Sequence, residues 1–260
     1  MPAGDTSWVK AMNSIGEVFF ASSPSGTLYK MDLPGTKYDQ ICGTLPSGIT
    51  AIVDLHVSQS DTIFALGTPG YVLLEANLTS GSWIQRTAAT GATGFLASHD
   101  PEIYLFAATQ MYRYNRTTGV WTLTINPLPA QIYSTIQYEN SLYAGSATRL
   151  YQLTAPGTLT ALSAPVGWAN ALCRNIGIYR NQLFCTFART VNPSWRVYLW
   201  SPHDAELISV YQGQGMAPVL QPSNFLRGSL FALAKPGSGN LQMLNLSYNP
   251  EHALFGRSPF

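Results

Sequence analysis

The sequence has few charged residues and almost no net charge. Asp, Glu, Lys and Arg make up 10% of its 260 residues, whereas about 25% is typical of globular proteins. Fourteen basic and thirteen acidic side chains leave a net charge of +1. This balance argues against a surface that binds nucleic acid phosphates, and it offers little repulsion against neighbouring proteins. Lectins share such a composition, so it does not separate an assembly subunit from a lectin.

The sequence also lacks long apolar runs, a secretion signal and a cysteine framework. No run reaches the roughly eighteen apolar residues expected of a membrane span, and the N-terminus has no basic and apolar signal regions. Cys42, Cys173 and Cys185 are odd in number and show no C-x-x-C spacing. That pattern disfavours both a disulfide framework and a zinc site, so we predict buried free thiols.

A short motif recurs six times along the chain: an aliphatic residue, then an aromatic one, then small or apolar residues. Its copies are spaced 39 to 47 residues apart. A polar turn precedes each copy, as expected for a hairpin between two strands. The six copies are Val18-Phe19, Ile63-Phe64, Ile103-Tyr104, Leu142-Tyr143, Leu183-Phe184 and Leu230-Phe231.

Each repeat has room for four strands, which predicts an all-β fold, a six-bladed β-propeller of four-stranded antiparallel blades. We expect one domain over residues 1–260, and a pair of β-sandwiches is the alternative fold. The segments Trp8–Met12 and His252–Phe255 would supply the first strand of the first blade and the last strand of the sixth. The expected blades span 7–45, 50–88, 94–126, 131–163, 174–212 and 223–256.

Two repeats resemble known propeller families. The third, from Glu102 through Met111-Tyr-Arg-Tyr to Trp121, is similar to a kelch-type blade but lacks the double glycine of that family. The fourth, from Asn140 to Thr154, resembles repeats of propeller-like structural proteins in tailed-phage tails, including tail nozzle proteins. That second resemblance implies a structural protein of a virion without catalytic residues. No Gly-His followed by Trp-Asp is present, which disfavours WD40.

No catalytic or metal-binding motif stands out. The run from His203 to Glu206 is read as a solvated turn, and no G-x-S-x-G or phosphate-binding glycine loop occurs in a suitable context. Asp54 and His56 lie two apart on a predicted strand, so their side chains share one face, and Asp100 falls near the corresponding place in the next repeat. We interpret these residues as a polar lining. We predict no enzyme activity, no metal and no cofactor.

The aromatic residues suggest packing more than sugar binding. Trp83 and Trp121 occupy equivalent repeat positions, and we expect them to pack between blades. Trp195 lies in a segment, Ala188 to Trp195, that we predict to be an inserted, exposed loop of the fifth repeat. If the protein were a lectin, Trp83, Trp121 and Trp195 would be its glycan-binding residues.

The sequence therefore predicts a non-catalytic structural propeller in a larger assembly, most specifically a phage-tail or nozzle-like component. Its partners would be protein subunits, in a homo-oligomeric ring or as virion neighbours, without a membrane or sequence-specific nucleic acid. A lectin and an enzyme with a site at one mouth of the ring remain the alternatives. We expect the virion as its location, after synthesis in the host cytoplasm, or else a cytoplasmic or signal-less secreted protein. The predicted partner-binding residues are Val191, Asn192, Pro193, Trp195, Arg257 and Phe260.

Overall fold

A computed structural model of the chain describes most residues up to 214 and short strands beyond. The described residues are 7–12, 17–31, 37–58, 60–88, 94–155, 157–165, 168, 171–179, 182–189, 194–214, 219–221, 230–234 and 242–246. Every regular element in these ranges is a β-strand. Within them, no helix is long and apolar enough to cross a membrane.

The strands form six antiparallel sheets in chain order. The first contains β1 (Trp8–Met12), β2 (Val18–Ser22), β3 (Leu28–Met31) and β4 (Tyr38–Cys42), and the second β5 (Ala51–Val57), β6 (Ile63–Thr68), β7 (Val72–Asn77) and β8 (Ser82–Ala88). The third contains β9 (Gly94–His99), β10 (Glu102–Ala107), β11 (Gln110–Asn115) and β12 (Val120–Ile125). The fourth contains β13 (Ile132–Tyr138), β14 (Ser141–Ser146), β15 (Leu150–Ala155) and β16 (Thr158–Ala161). The fifth contains β17 (Ala171–Tyr179), β18 (Gln182–Arg189), β19 (Ser194–Ser201) and β20 (Glu206–Gln214), and the sixth has three described strands, β21 (Val219–Gln221), β22 (Leu230–Ala234) and β23 (Gln242–Leu246).

The repeated aliphatic-aromatic motif marks the second strand of every sheet. Its six copies fall on β2, β6, β10, β14, β18 and β22, which confirms the repeat found in the sequence. The predicted first strand of the first repeat, Trp8–Met12, is also confirmed, whereas residues 252–255 lie outside the described ranges. Backbone contacts divide the chain into two compact units, Met1–Pro129 and Ala130–Phe260. A single domain over the whole chain stays a prediction.

The second strand of the second sheet, β6, is apolar along most of its length because both of its faces are covered. In β6, Ile63 packs in a cluster with residues of the first sheet, whereas the next residue, Phe64, packs with residues of the third. Successive side chains of a strand point to opposite faces, so an aliphatic-aromatic pair supplies one residue to each neighbouring sheet. Phe64 is completely buried. In the second sheet, the two residues of the motif are therefore both apolar because each of them packs against a different neighbouring sheet.

The hairpins between the third and fourth strands of the second and third sheets use the same turn. The Asn77 Oδ1 accepts hydrogen bonds from the backbone N–H groups of Thr79 and Ser80, at 3.0 and 3.1 Å. Asn115 makes the equivalent pair of bonds. Both turns end in a glycine with a positive φ, 64° at Gly81. The asparagine of each of these Asn-x-Thr sequences is thus explained by a local turn requirement.

The fifth sheet differs from the expectation of an inserted loop. Its strands β18 and β19 each contain eight residues and reach Arg189 and Ser194, so residues predicted to be loop belong to a hairpin. Trp195 is the second residue of β19 and only 5% exposed. The prediction of an exposed Trp195 is therefore wrong. A Cβ on Gly213, its partner on β20, would overlap the Trp195 ring, so the glycine makes the space in which the ring is buried.

The predicted buried thiols are confirmed: Cys42, Cys173 and Cys185 are free and buried. Cys173 and Cys185 lie on neighbouring strands in the core of the fourth and fifth sheets. The hydrogen bond with Cys173, together with burial, raises the pKa of the Cys185 thiol. A raised pKa keeps a thiol protonated and unreactive, which fits a packing role.

Candidate functional site

A polar cluster joins the first strands of the second and third sheets. Asp54 Oδ2 accepts a hydrogen bond of 2.6 Å from the Leu96 backbone N–H. Two residues along the same strand, His56 Nε2 lies 2.8 Å from Ser98 Oγ. Because alternate residues of a strand share a face, both contacts lie on one side of β5, as the sequence predicted. The cluster is thus built from side chains that cross between two sheets.

A second contact, at the edge of the cluster, involves Asp100 in the turn after β9. Its Oδ2 accepts a 2.7 Å hydrogen bond from the Ser60 backbone N–H. Since Ser60 follows β5 and Asp100 follows β9, the two sheets are joined again just beyond their first strands. The negative charge of Asp100 also acts on His56.

Burial shifts the pKa values of the two titrating groups on β5 in opposite directions. It raises the pKa of Asp54 to about 6, against hydrogen bonds from the Leu96 and Leu55 backbone that lower it. It lowers the pKa of His56 to about 4, although the charge of Asp100 acts in the opposite direction. At neutral pH, Asp54 is therefore ionised and His56 is a neutral imidazole. A carboxyl group with a pKa near 6 has the right range for general acid–base work.

The serine of this cluster is enclosed. Ser98 is 2% exposed, so its hydroxyl does not reach solvent where a substrate would bind. The pair with His56 is therefore a buried hydrogen bond rather than an accessible nucleophile with its base. Among the described residues, no three His, Cys, Asp or Glu side chains are arranged to hold a metal ion.

The two equivalent tryptophans connect neighbouring sheets. Trp83 Nε1 on β8 donates a 2.7 Å hydrogen bond to the Gly26 carbonyl of the first sheet. Trp121 Nε1 on β12 donates one of 3.0 Å to the Thr87 carbonyl of the second sheet. The expected packing role is thus confirmed for both. Trp83 is 7% exposed, so its ring offers no free face to a sugar, whereas Trp121 is partly exposed and packs against Tyr114.

The predicted partner-binding residues are mostly outside the described part of the chain. These are Val191, Asn192, Pro193, Arg257 and Phe260. Trp195 is described, but its burial removes it from any partner or glycan surface. The run from His203 to Asp204 is an exposed turn in which Ser201 Oγ donates to Asp204 Oδ2 at 2.8 Å.

One sheet edge was not identified from the sequence. β12 is the fourth strand of its sheet, and its six residues, Val-Trp-Thr-Leu-Thr-Ile, include no charge, no proline and no glycine. Val120 and Leu123 are 52% and 45% exposed. Among the other described fourth strands, β4, β8 and β20 each contain a charged residue and β16 has only four residues. The signal was present in the sequence as an uncharged run of strand-forming residues, but only the sheet order shows that it is an edge.

No family model and no curated protein matches this chain. Several solved structures match it. Virginiamycin B lyase from Staphylococcus aureus matches with a TM-score of 0.62 and 10% identity, over 93% of this chain and 85% of that one. A streptogramin B lyase structure matches with a TM-score of 0.62 and 12% identity, over 93% and 83%. The extracellular domain of BT4673 from B. thetaiotaomicron matches with a TM-score of 0.66 and 16% identity, over 96% of this chain and 35% of that one.

The two lyases overturn the sequence prediction that the chain is not an enzyme. That prediction depended on the lack of a catalytic motif. Proteins named as enzymes share this fold with only 10–12% identity, so a motif recognisable in this sequence is not required for catalysis. The resemblance of residues 140–154 to phage-tail repeats stays a prediction. Repeated four-stranded antiparallel sheets, a second-strand motif in all six repeats and these structural neighbours together identify the chain as a β-propeller protein.

Proposed function

We propose that this propeller is a subunit of a larger protein assembly and joins a second copy of itself through strand β12. The observation that carries the proposal is the uncharged edge of the third sheet, where Val120 and Leu123 are about half exposed. An edge strand presents a row of backbone N–H and C=O groups that can pair with another strand. Proteins that stay apart usually protect such edges with charge, proline or short length.

The β12 strand is compatible with pairing to its own copy. In an antiparallel arrangement about a two-fold axis, opposite residues lie on the same face, so in the register centred on Thr122 this residue faces Thr122 of the copy and Val120 faces Thr124 of the copy. None of these pairs brings like charges together, and β-branched cross-strand pairs are favourable. The chain as a whole carries a net charge of +1, so two copies repel each other weakly. This supports a symmetric contact, which is the commonest kind in homo-oligomers.

The setting that we propose for this assembly is a virion, as a phage-tail or nozzle-like component. Its support is the resemblance of residues 140–154 to repeats of such proteins. Weak charge over the whole chain is consistent with a protein surrounded by neighbours. Cosedimentation of the protein with purified particles tests the setting separately from the contact.

The contact is tested by three substitutions compared with the unmodified chain. Leu123→Lys places a charge in the edge, and Leu123→Thr keeps the edge uncharged and strand-forming. Leu78→Lys changes a residue in a turn that is 57% exposed, against 45% for Leu123. We expect sedimentation velocity to show a concentration-dependent dimer for the unmodified chain, Leu123→Thr and Leu78→Lys, and a monomer for Leu123→Lys. A monomeric unmodified chain, or a dimer that survives Leu123→Lys, would refute the β12 contact.

A second function, acid–base catalysis, is supported by Asp54. Its pKa of about 6 lies near the working range of a general acid or base, and a neutral His56 shares its face of β5. The two similar lyases suggest streptogramin B antibiotics as the first substrates to test. Loss of the antibiotic would be followed by chromatography, and Asp54→Asn should abolish it. Turnover that persists in this variant would exclude Asp54 as the acid–base group.

A further inference from the structure

Two arginines share one tryptophan in the second compact unit. Trp168 precedes β17, Arg189 ends β18 and Arg196 lies on β19. The Cζ atoms of Arg189 and Arg196 lie 5.0 and 4.8 Å from the centroid of the Trp168 ring. Both distances are within the roughly 6 Å of a cation–π contact. Two positive charges are thus gathered around one ring that is itself 8% exposed.

Within the described residues, Arg189 and Arg196 have no carboxylate partner, whereas the paired arginines of the first unit do. Arg113 forms two hydrogen bonds with Glu102, and Arg86 and Arg116 both pair with Glu75. Within the described part of the chain, neither Arg189 nor Arg196 forms an ion pair. Two guanidinium groups on the same ring repel each other, and partial burial weakens the screening by water. An anion between them would remove this repulsion.

One N–H donor of the two arginines lacks an acceptor among the described residues. The Nε atom of Arg189 is buried and forms no hydrogen bond with any of them. An unpaired buried donor of a charged group costs about 1–3 kcal/mol or more, so such a group is expected where a ligand completes it. Arg189 and Arg196 are both only partly buried as residues, so each side chain keeps some exposure to solvent.

A nearby hydroxyl is subject to both positive charges. Burial raises the pKa of Tyr198, whereas the Arg196 side chain directly beside its hydroxyl and, to a smaller extent, the charge of Arg189 act to lower it. Tyr198 is 2% exposed and packs edge-on against Phe187, with ring centroids 5.5 Å apart. Arg196 therefore lies beside a buried and closely packed side chain, which restricts the conformations open to it before a ligand binds.

We infer that Arg189 and Arg196, arranged around Trp168, bind an oxyanion: a small ligand that carries a carboxylate or a phosphate group. The planar fork of a guanidinium group matches both kinds of group with two parallel hydrogen bonds. Trp168 is buried beneath the arginines, so it orients them and does not stack on the ligand. The site lies in the second unit and does not depend on the proposed β12 contact.

The test measures thermal stability at constant ionic strength with two probes, inorganic phosphate and succinate, and with chloride as the reference anion. A ligand that binds only the folded state raises the melting temperature with its concentration. We expect one probe or both to do so in the unmodified chain, and the stronger one identifies the ligand class. Arg189→Gln and Arg196→Gln should weaken the apparent affinity by about tenfold or more, since each removes charge-assisted hydrogen bonds.

Two further variants separate binding from folding. Arg149→Gln removes a positive charge elsewhere in the same unit and should leave the probe's effect unchanged. Arg196→Lys keeps the charge but loses the fork, so it should bind with intermediate affinity. An unmodified chain that responds to neither phosphate nor succinate would overturn the inference. So would variants whose melting temperatures fall but whose response to the probe equals that of the unmodified chain, because the arginines would then only support the fold.

Discussion

Asp54 and His56 should give the stability of this protein two opposite dependences on pH. The pKa of Asp54 is raised from 3.8 to about 6 on folding, so its contribution to stability is complete below pH 3.8 and is lost as the pH rises through 6. The pKa of His56 is lowered from 6.5 to about 4, so its contribution is complete above pH 6.5 and is lost as the pH falls through 4.

The two effects are similar in size. One pKa unit corresponds to about 1.36 kcal/mol, so each group changes the free energy of unfolding by about 3 kcal/mol across its range. Between pH 4 and 6 the changes have opposite signs and nearly cancel. The unmodified protein should therefore show little net effect of these groups in this interval, although each group taken alone is strongly affected.

Single substitutions separate the two contributions to the pH dependence of stability, which nearly cancel in the unmodified chain. Asp54→Asn keeps an oxygen that accepts the Leu96 N–H but cannot ionise, so stability at pH 7 should increase and should fall by about 3 kcal/mol from pH 6.5 to 4. His56→Gln keeps an amide that can reach Ser98, and its stability should instead fall from pH 4 to 6. Asp39→Asn, on the exposed part of β4, should leave the profile unchanged.

The measurement is urea unfolding, followed by tryptophan fluorescence, at several pH values from 4 to 7. If the cluster titrates in this way, the free energy of unfolding rises with pH in Asp54→Asn and falls with pH in His56→Gln. Parallel profiles for both variants and the unmodified chain would refute it, because they would mean that neither group changes its pKa on folding.

Two other substitutions test how the sheets are held together. Trp83→Phe removes the hydrogen bond to the Gly26 carbonyl and part of a buried ring, so it should destabilise the protein by about 2–3 kcal/mol in urea unfolding. Trp121→Phe should destabilise it less, because the Trp121 ring is partly exposed. An equal loss of stability in the two variants would contradict the expectation that the effect depends on how deeply the ring is buried. Asn77→Ala and Asn115→Ala each remove two bonds to turn N–H groups and should each cost about 1 kcal/mol; if thermal melts show no change, the turns do not depend on these side chains.

The repeat could be predicted from the sequence because its cause is local. A strand covered on both faces needs an apolar residue at every position, and the turn before it needs polar residues. Both requirements leave a pattern within a few neighbouring residues, as at Ile63-Phe64. The shared face of Asp54 and His56 follows from the same period of two.

In the fifth repeat, local sequence patterns led to a wrong prediction. Ala188, Arg189, Ser194 and Trp195 resemble loop residues in the sequence, yet they lie on β18 and β19. Gly213 on the neighbouring strand leaves the space in which the indole ring is buried. That space depends on a pairing between two strands, and no pattern within either strand reports it. Exposure of Trp195 was therefore the wrong expectation.

The sequence by itself determined the number of repeats, the second strand of each, the burial of the cysteines and the polar face of β5, since each of these depends on residues close together in the chain. Only the tertiary structure decided which residues meet: Trp83 with the Gly26 carbonyl, His56 with Ser98, and Arg189 with Arg196 around Trp168. Contacts of this kind depend on the packing of separate strands and sheets, so distance along the chain carries no information about them. The edge position of β12 was decided in the same way, by the order of strands in a sheet.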